Sequence, residues 1–248
     1  LLAGGKARGL QPVGPAPLMA RKLVEGAAPD LKTLGQALPP LVADLDGDGF
    51  PDVLQPFEKG GLFYAGKAAG GFAAPVASDI QAGKNGAAPA VGDFDADGLL
   101  DVLTTGEEGC RIWQNLGKGR FASRGGYSGE IAYIAKPGGV ACQACDVNND
   151  GRQDIFLAYR DAGPQLFFNR GFRSTGHAHE LDPTDTGMLP PAEKGQQAGC
   201  VADFNDDGAQ DMAIVLADGD VYVFGRDVQE ASPLAVKIGL SPKASFSG

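Results

Sequence analysis

The chain has 248 residues, of which 43% are hydrophobic, 38 are glycine and 17 are proline. This content allows a substantial core and is typical of short strands joined by turns. A formal net charge of −10 disfavours nucleic acid as a partner, and the lack of an apolar run of about 18 residues argues against direct insertion into a membrane.

The N-terminal segment, residues 1–37, contains apolar stretches at 1–3 and 17–24. We expect these stretches to be the later strands of a repeat that begins before Leu1. Because the chain starts with leucine rather than methionine, we interpret it as an internal piece of a longer chain.

One acidic pattern, Asp-x-Asp/Asn-x-Asp-Gly-x-x-Asp, occurs four times, at 44–52 (loop 1), 93–101 (loop 2), 146–154 (loop 3) and 203–211 (loop 4). The first aspartates of successive loops are 49, 53 and 57 residues apart. Side chains at positions 1, 3, 5 and 9 and the backbone carbonyl at position 7 are the candidate metal ligands. By loop these residues are Asp44, Asp46, Asp48, Phe50 and Asp52; Asp93, Asp95, Asp97, Leu99 and Asp101; Asp146, Asn148, Asp150, Arg152 and Asp154; Asp203, Asn205, Asp207, Ala209 and Asp211.

The spacing of these residues suits a hard cation. Glycine at position 6 permits a sharp turn that brings the oxygens at positions 1, 3 and 5 together. An oxygen-only ligand set favours calcium, and the lack of His and Cys at these positions disfavours zinc. We therefore predict up to four bound Ca²⁺ ions, held more weakly in loops 3 and 4, where Asn148 and Asn205 replace a carboxylate.

Two other kinds of loop share part of this pattern. An EF-hand requires glutamate at position 12, where this chain has Gln55, Thr104, Leu157 and Ile214. An Asx-rich turn without metal explains a single loop, but four copies of clustered carboxylates repel one another unless a cation is present.

Each loop has the same apolar surroundings, which predict four strands per repeat. First strands are expected at 41–43, 90–92, 140–142 and 200–202, and a second strand follows each loop. Aromatic third strands are expected at 62–64, 112–114, 166–168 and 221–224, and fourth strands include 72–76 and 121–123. Four-stranded units of about fifty residues predict an all-β fold, a β-propeller built of four-stranded blades.

The predicted blades are residues 38–87, 88–137, 138–196 and 197–240, and 241–248 begins a C-terminal segment. An insertion at 171–197 accounts for the longest step between loops. We expect the blades to form part of a seven- or eight-bladed ring, the alternative being a smaller five-bladed ring.

The repeated loop on strands resembles the FG-GAP/VCBS family, which includes the integrin α-subunit propellers, over roughly residues 38–230. The resemblance implies calcium at positions 1, 3, 5 and 9 of each loop. The sequence is most similar to bacterial members linked to an ASPIC/UnbV segment and to cartilage-acidic-protein-like members.

The cysteines are Cys110, Cys142, Cys145 and Cys200. A Cys142-x-x-Cys145 redox or zinc site is disfavoured, since no second pair has suitable spacing. We predict a Cys142–Cys200 disulfide across a blade interface, in keeping with an exported protein.

His177 and His179 form an H-x-H pair, which is able to bind zinc or copper. We interpret the pair as part of a solvated loop in the insertion, and that insertion is the first place to look for a partner contact. Asp218 and Asp220 are expected in a turn before a third strand.

No catalytic motif is found, so the sequence predicts a protein that is not an enzyme. It predicts a calcium-stabilised binding or scaffold propeller, secreted, at the cell surface or periplasmic, for cell adhesion or other contact with a protein or glycan partner, including a role as a subunit of a larger surface complex. The alternative is the propeller domain of a polysaccharide-active enzyme.

Overall fold

The computed structural model describes residues 2–3, 6–10, 20–22, 31–123, 138–169, 175–180 and 195–225. For the described residues between 2 and 22, and for residues 175–180, the description consists of the strand positions alone. Within this described part the strands form five antiparallel sheets, and the helical structure is one 3₁₀ turn, Leu31–Thr33.

Each sheet is a meander in which consecutive strands are hydrogen-bonded neighbours. The N-terminal sheet contains β1 (Leu2–Ala3), β2 (Lys6–Leu10) and β3 (Ala20–Lys22). Sheet 1 contains β4 (Leu41–Ala43), β5 (Asp52–Phe57), β6 (Gly60–Tyr64) and β7 (Val76–Ser78). Sheet 2 contains β8 (Ala90–Gly92), β9 (Asp101–Gly106), β10 (Gly109–Asn115) and β11 (Phe121–Ser123). Sheet 3 contains β12 (Gly139–Cys145), β13 (Asp154–Tyr159), β14 (Gln165–Asn169) and β15 (Thr175–Glu180). Sheet 4 contains β16 (Gln196–Ala202), β17 (Asp211–Leu216) and β18 (Val221–Phe224).

In sheets 2, 3 and 4 the second strand is the most deeply buried. Every residue of β9 and β13 is buried, because these strands lie between neighbouring sheets on both faces. The sequence of β13 is accordingly a near-continuous apolar run, with Ile155, Phe156 and Leu157, rather than an alternating one.

Apolar clusters join consecutive sheets. Between sheets 1 and 2 the cluster includes Leu45, Leu54, Phe63, Val102 and Trp113. Between sheets 2 and 3 it includes Phe94, Leu103, Ile155, Leu157 and Phe167, and between sheets 3 and 4 it includes Phe156, Leu166, Val201, Met212 and Ile214. Each fully buried side chain of this kind contributes about 1.5–3 kcal/mol relative to exposure, so the interfaces between sheets dominate the core.

The predicted first and third strands all lie in observed strands, because their apolar patterns are local. The predicted fourth strand at 72–76 is largely wrong, since β7 begins at Val76 and Phe72 instead forms an isolated bridge with Gly66. Asp218 and Asp220 lie in the turn before β18, as predicted.

The loop predicted around His177 and His179 is a strand. Residues 175–180 form β15, in which His179 pairs with Leu166 of β14, so this part of the predicted insertion completes sheet 3. The rest of the insertion up to residue 194 and the predicted segment 241–248 lie outside the described residues.

The predicted Cys142–Cys200 disulfide is wrong, because all four cysteines are free. The Cys142 thiol faces sheet 2, where Sγ lies 3.3 Å from the carbonyl oxygen of Ala88. Cys200 lies in β16 next to Val201. Val201 packs against Phe156 on the other face of sheet 3. The two thiols are therefore separated by the body of sheet 3.

Candidate metal centres

Each acidic loop joins the first strand of a sheet to the second. The position-9 aspartate is always the first residue of the second strand, as Asp52 is of β5 and Asp101 is of β9. The four loops therefore have the same place in four successive sheets.

The position-1 carboxylate organises its loop through backbone hydrogen bonds. In loop 1 the Gly49 N–H donates to Asp44 Oδ2 over 2.9 Å, and the Asp48 N–H donates to Asp44 Oδ1 over 3.1 Å. The corresponding pairs in the other three loops lie at 2.9–3.1 Å. Because positions 5 and 6 fold back onto position 1, all four loops have one shared shape.

This shape requires left-handed backbone at two positions. The position-6 glycines Gly49, Gly98, Gly151 and Gly208 have φ of 85–87°, which confirms the turn predicted for them. Position 4 is also left-handed, with φ of 78° at Gly47, 58° at Ala96, 55° at Asn149 and 59° at Asp206. Sequence reasoning missed this second requirement because only loop 1 has glycine there.

Carboxylates converge in loops 1 and 2. Asp44, Asp46 and Asp48 each offer an oxygen within 4.8 Å of the others, and Asp93, Asp95 and Asp97 do the same. The pKa of Asp46 is raised above its ordinary value, first by burial and then by the nearby charges of Asp52, Asp48 and Asp44. The like charges destabilise one another, and a cation relieves that repulsion.

The donor set of loops 1 and 2 fits a hard divalent cation. Each of the three carboxylates has lone pairs beyond those used by the loop N–H groups. Oxygen ligands at this density match calcium, which takes 6–8 of them. When bound there, such an ion supplies charge neutralisation and cross-links the turn.

In loops 3 and 4 the asparagine at position 3 donates a hydrogen bond to the position-5 carboxylate. Asn148 Nδ2 donates to Asp150 Oδ2 over 3.2 Å, and Asn205 Nδ2 donates to Asp207 Oδ2 over 2.9 Å. In loop 3 the Arg152 guanidinium also pairs with Asp150 at 3.0 Å. Each of these loops therefore has two carboxylates, rather than three, at positions 1, 3 and 5.

The position-7 residues use their backbone N–H in the turn. The N–H groups of Phe50, Leu99, Arg152 and Ala209 each donate to the position-5 carboxylate of the same loop over 2.8–2.9 Å. Their side chains vary from exposed to buried, since Phe50 is 37% exposed and Ala209 is 1% exposed.

The position-9 aspartates Asp52, Asp101, Asp154 and Asp211 are all buried. Asp52 Oδ2 accepts the Leu45 N–H over 2.8 Å, and Asp52 Oδ1 accepts the Gly66 N–H over 2.7 Å. Asp101 and Asp154 accept equivalent pairs of backbone N–H groups. Burial raises the pKa of Asp101 to about 7 and that of Asp154 to about 6.

In loops 1, 2 and 3 position 9 therefore anchors the loop at or just beyond the end of the third strand, a role that sequence reasoning did not foresee. Among the described residues, two groups of His, Cys, Asp or Glu side chains have ligand atoms close enough together to hold a metal ion. They are the triads at positions 1, 3 and 5 of loops 1 and 2. Asp52 and Asp101 are not members of these groups.

Sequence reasoning also missed Asn115 and Asn169. Each lies at the end of a third strand, 14 and 15 residues after the position-9 aspartate that accepts its backbone N–H. The similar offset is the one sequence signal for this pair.

In the described part of the chain, no helix has the length and apolar character needed to span a membrane. No curated protein matches the sequence.

Two solved structures show the fold. A lectin of Agrocybe aegerita, described for its specific recognition of non-reducing terminal N-acetylglucosamine, is similar with a TM-score of 0.57 and 19% identity over 89% of this chain and 60% of its own. BBS1N in its complex with ARL6DN has a TM-score of 0.50 and 10% identity over 77% of this chain and 54% of its own. This chain thus spans 54–60% of the length of these structures. Both are β-propeller proteins, and the fold of this chain is of that all-β type.

A family model described as the FG-GAP-like repeat matches residues 44–104, 93–157 and 146–214. Each match begins at position 1 of one acidic loop and continues through the next, so all four loops are included. On this evidence the chain belongs to the family of FG-GAP-like repeat proteins.

Proposed function

We propose that this chain is a non-enzymatic binding or scaffold module whose four acidic loops hold Ca²⁺. The observation that carries the proposal is the convergence of three carboxylates within 4.8 Å in each of loops 1 and 2. Loops 3 and 4 have the same hydrogen bond from the position-6 N–H to the position-1 carboxylate, so we extend the proposal to four sites.

Bound calcium in this proposal is structural. The loops connect strands that bury the core between sheets, so a cation that fixes a loop also fixes the position of its sheet. Calcium that binds only the folded protein stabilises it by about 2.7 kcal/mol per site at 100-fold excess over Kd.

The proposed partner is a protein or a glycan, contacted by an exposed face of the rigid scaffold. The known binding by the Agrocybe lectin and the complex of BBS1N with ARL6DN support this class of role, because both use the same type of fold. We further propose a secreted, cell-surface or periplasmic location, membership of a larger surface complex, and closest kinship with ASPIC/UnbV-linked and cartilage-acidic-protein-like members.

Thermal unfolding in calcium, in magnesium and in chelator tests the structural role. We expect a midpoint that rises with calcium and falls in chelator. The double variant Asp44→Ala/Asp93→Ala removes position 1 from loops 1 and 2 and should lose much of this rise. Asp218→Ala/Asp220→Ala changes the charge equally outside the loops and should keep it. An unchanged midpoint in calcium and chelator would refute structural calcium.

The binding role is tested separately with the calcium-loaded protein on a glycan array and against surface proteins of its source. Capture of defined ligands without their cleavage supports a binding module. Release of cleaved glycan products would instead establish the enzyme alternative.

A further inference from the structure

Asn115 connects two acidic loops that belong to different sheets. Its Nδ2 lies 2.7 Å from the carbonyl oxygen of Leu45, position 2 of loop 1, and 2.9 Å from that of Leu100, position 8 of loop 2. Its backbone N–H donates to Asp101, position 9 of loop 2, over 2.7 Å. One side chain thus holds parts of both loops.

Asn169 repeats this arrangement one sheet further along the chain. Its Nδ2 lies 2.9 Å from the carbonyl oxygen of Phe94, position 2 of loop 2, and 3.2 Å from that of Gln153, position 8 of loop 3. Its backbone N–H donates to Asp154 over 2.8 Å. The connection therefore occurs at two successive interfaces between sheets.

The position-2 residues that these asparagines hold are firmly packed. Leu45 is 0% exposed in the cluster between sheets 1 and 2, and Phe94 is 4% exposed in the cluster between sheets 2 and 3. A Cβ built on Gly47 would lie 3.6 Å from the Leu99 side chain, so loops 1 and 2 also lie close together. Movement of one loop therefore displaces groups that fix the next.

We propose that Asn115 and Asn169 couple cation binding in neighbouring loops, so that occupancy of one loop raises the affinity of the next. The proposal rests on the proposed calcium binding. A cation in loop 2 orders positions 1 to 9 and so fixes Leu100 and Asp101, which position Asn115. Asn115 in turn holds the Leu45 carbonyl, and loop 1 then loses less conformational freedom when it binds its own cation. The same steps link loops 2 and 3 through Asn169.

Sheets 1 and 4 have glycine at the matching place, Gly66 and Gly225, which have no side chain to reach another loop. Loop 3 contacts loop 4 differently, since the Asp146 N–H donates to Gln210 Oε1 over 2.7 Å. The asparagine connection is thus specific to the pairs 1–2 and 2–3.

The test is a Ca²⁺ titration of the full chain followed by NMR, with the amide signals of Gly49, Gly98 and Gly151 as reporters of loops 1, 2 and 3. Asp97→Ala disables loop 2, and we expect it to weaken binding at Gly49 at least fivefold, the lower end of usual coupling. In the Asn115→Ala background the same change should weaken loop 1 less than twofold. Asp207→Ala, which disables the distant loop 4, is the control and should leave Gly49 within twofold.

An unchanged Gly49 midpoint in Asp97→Ala, or an equal shift with and without Asn115, overturns the coupling while calcium binding stands. If no glycine reporter titrates in the unaltered protein, the calcium proposal fails as well. Should Asn115→Ala not fold, Asn115→Ser and the Asn169→Ala cycle between Gly98 and Gly151 decide the matter by the same criteria.

Discussion

The buried carboxylate of Asp101 accepts the backbone N–H of Asn115 over 2.7 Å and that of Phe94 over 3.3 Å. The first bond joins the acidic loop to the end of the third strand, and the second closes the loop on itself. Asp101, which its spacing predicts to be a cation ligand, thus also stabilises the fold by accepting hydrogen bonds from two backbone N–H groups.

This double role predicts that Asp101→Ala destabilises the protein even without metal. Two buried N–H groups lose their acceptor, at a cost of about 1–3 kcal/mol each. In chelator we expect urea unfolding to show a loss of about 2–6 kcal/mol. The exposed Asp97, in the same loop, is the matched control, and Asp97→Ala should change stability by less than about 0.5 kcal/mol. Equal losses in the two variants would show that position 9 has no anchoring role.

The shared shape of the loops was predictable because its determinants are local. Gly49 and its three counterparts have the left-handed φ that their place in the pattern required. The contact of Asn115 with Leu45 joins residues 70 positions apart, and no local pattern indicates which carbonyl a distant amide will meet. β15 was missed for a similar reason, since its polar sequence becomes a strand by pairing with β14.

The charge within loop 3 predicts a specific gain in calcium affinity. The Arg152 guanidinium lies 3.0 Å from Asp150 and opposes a cation at the same carboxylate. We expect Arg152→Ala to tighten calcium binding by loop 3 about two- to fivefold, as two like charges several ångström apart in partly exposed surroundings imply. NMR titration of the Gly151 amide measures it.

Arg160→Ala is the control for that change, because it removes the same charge from a residue that pairs with Glu107 instead, at 3.9 Å. It should leave the Gly151 midpoint unchanged. Equal tightening in both variants would indicate a general charge effect rather than competition within the loop.

The four free thiols predict a graded reaction with an alkylating reagent. Cys200 is exposed, whereas Cys110 and Cys145 are buried. Burial also raises the pKa of Cys142 to about 12, which leaves its thiol protonated and unreactive at ordinary pH. In the native protein without reductant we expect one fast thiol and three slow ones, and four after denaturation, as counted by mass spectrometry. Recovery of only two thiols after denaturation would restore the disulfide prediction.

The interface between sheets 3 and 4 leaves no room for a side chain at residue 199. A Cβ on Gly199 would lie 2.8 Å from the ring of Phe156, which is fully buried and unable to move aside. Overpacking of this kind costs about 1–3 kcal/mol, and we expect Gly199→Ala to lose that much stability in urea unfolding. Gly225→Ala is the control, because the nearest atom to its Cβ lies 3.8 Å away. Since the clash is with the ring, Phe156→Leu should cost less in the Gly199→Ala background than alone; additive losses would mean that sheet 4 does not pack on Phe156 in this way.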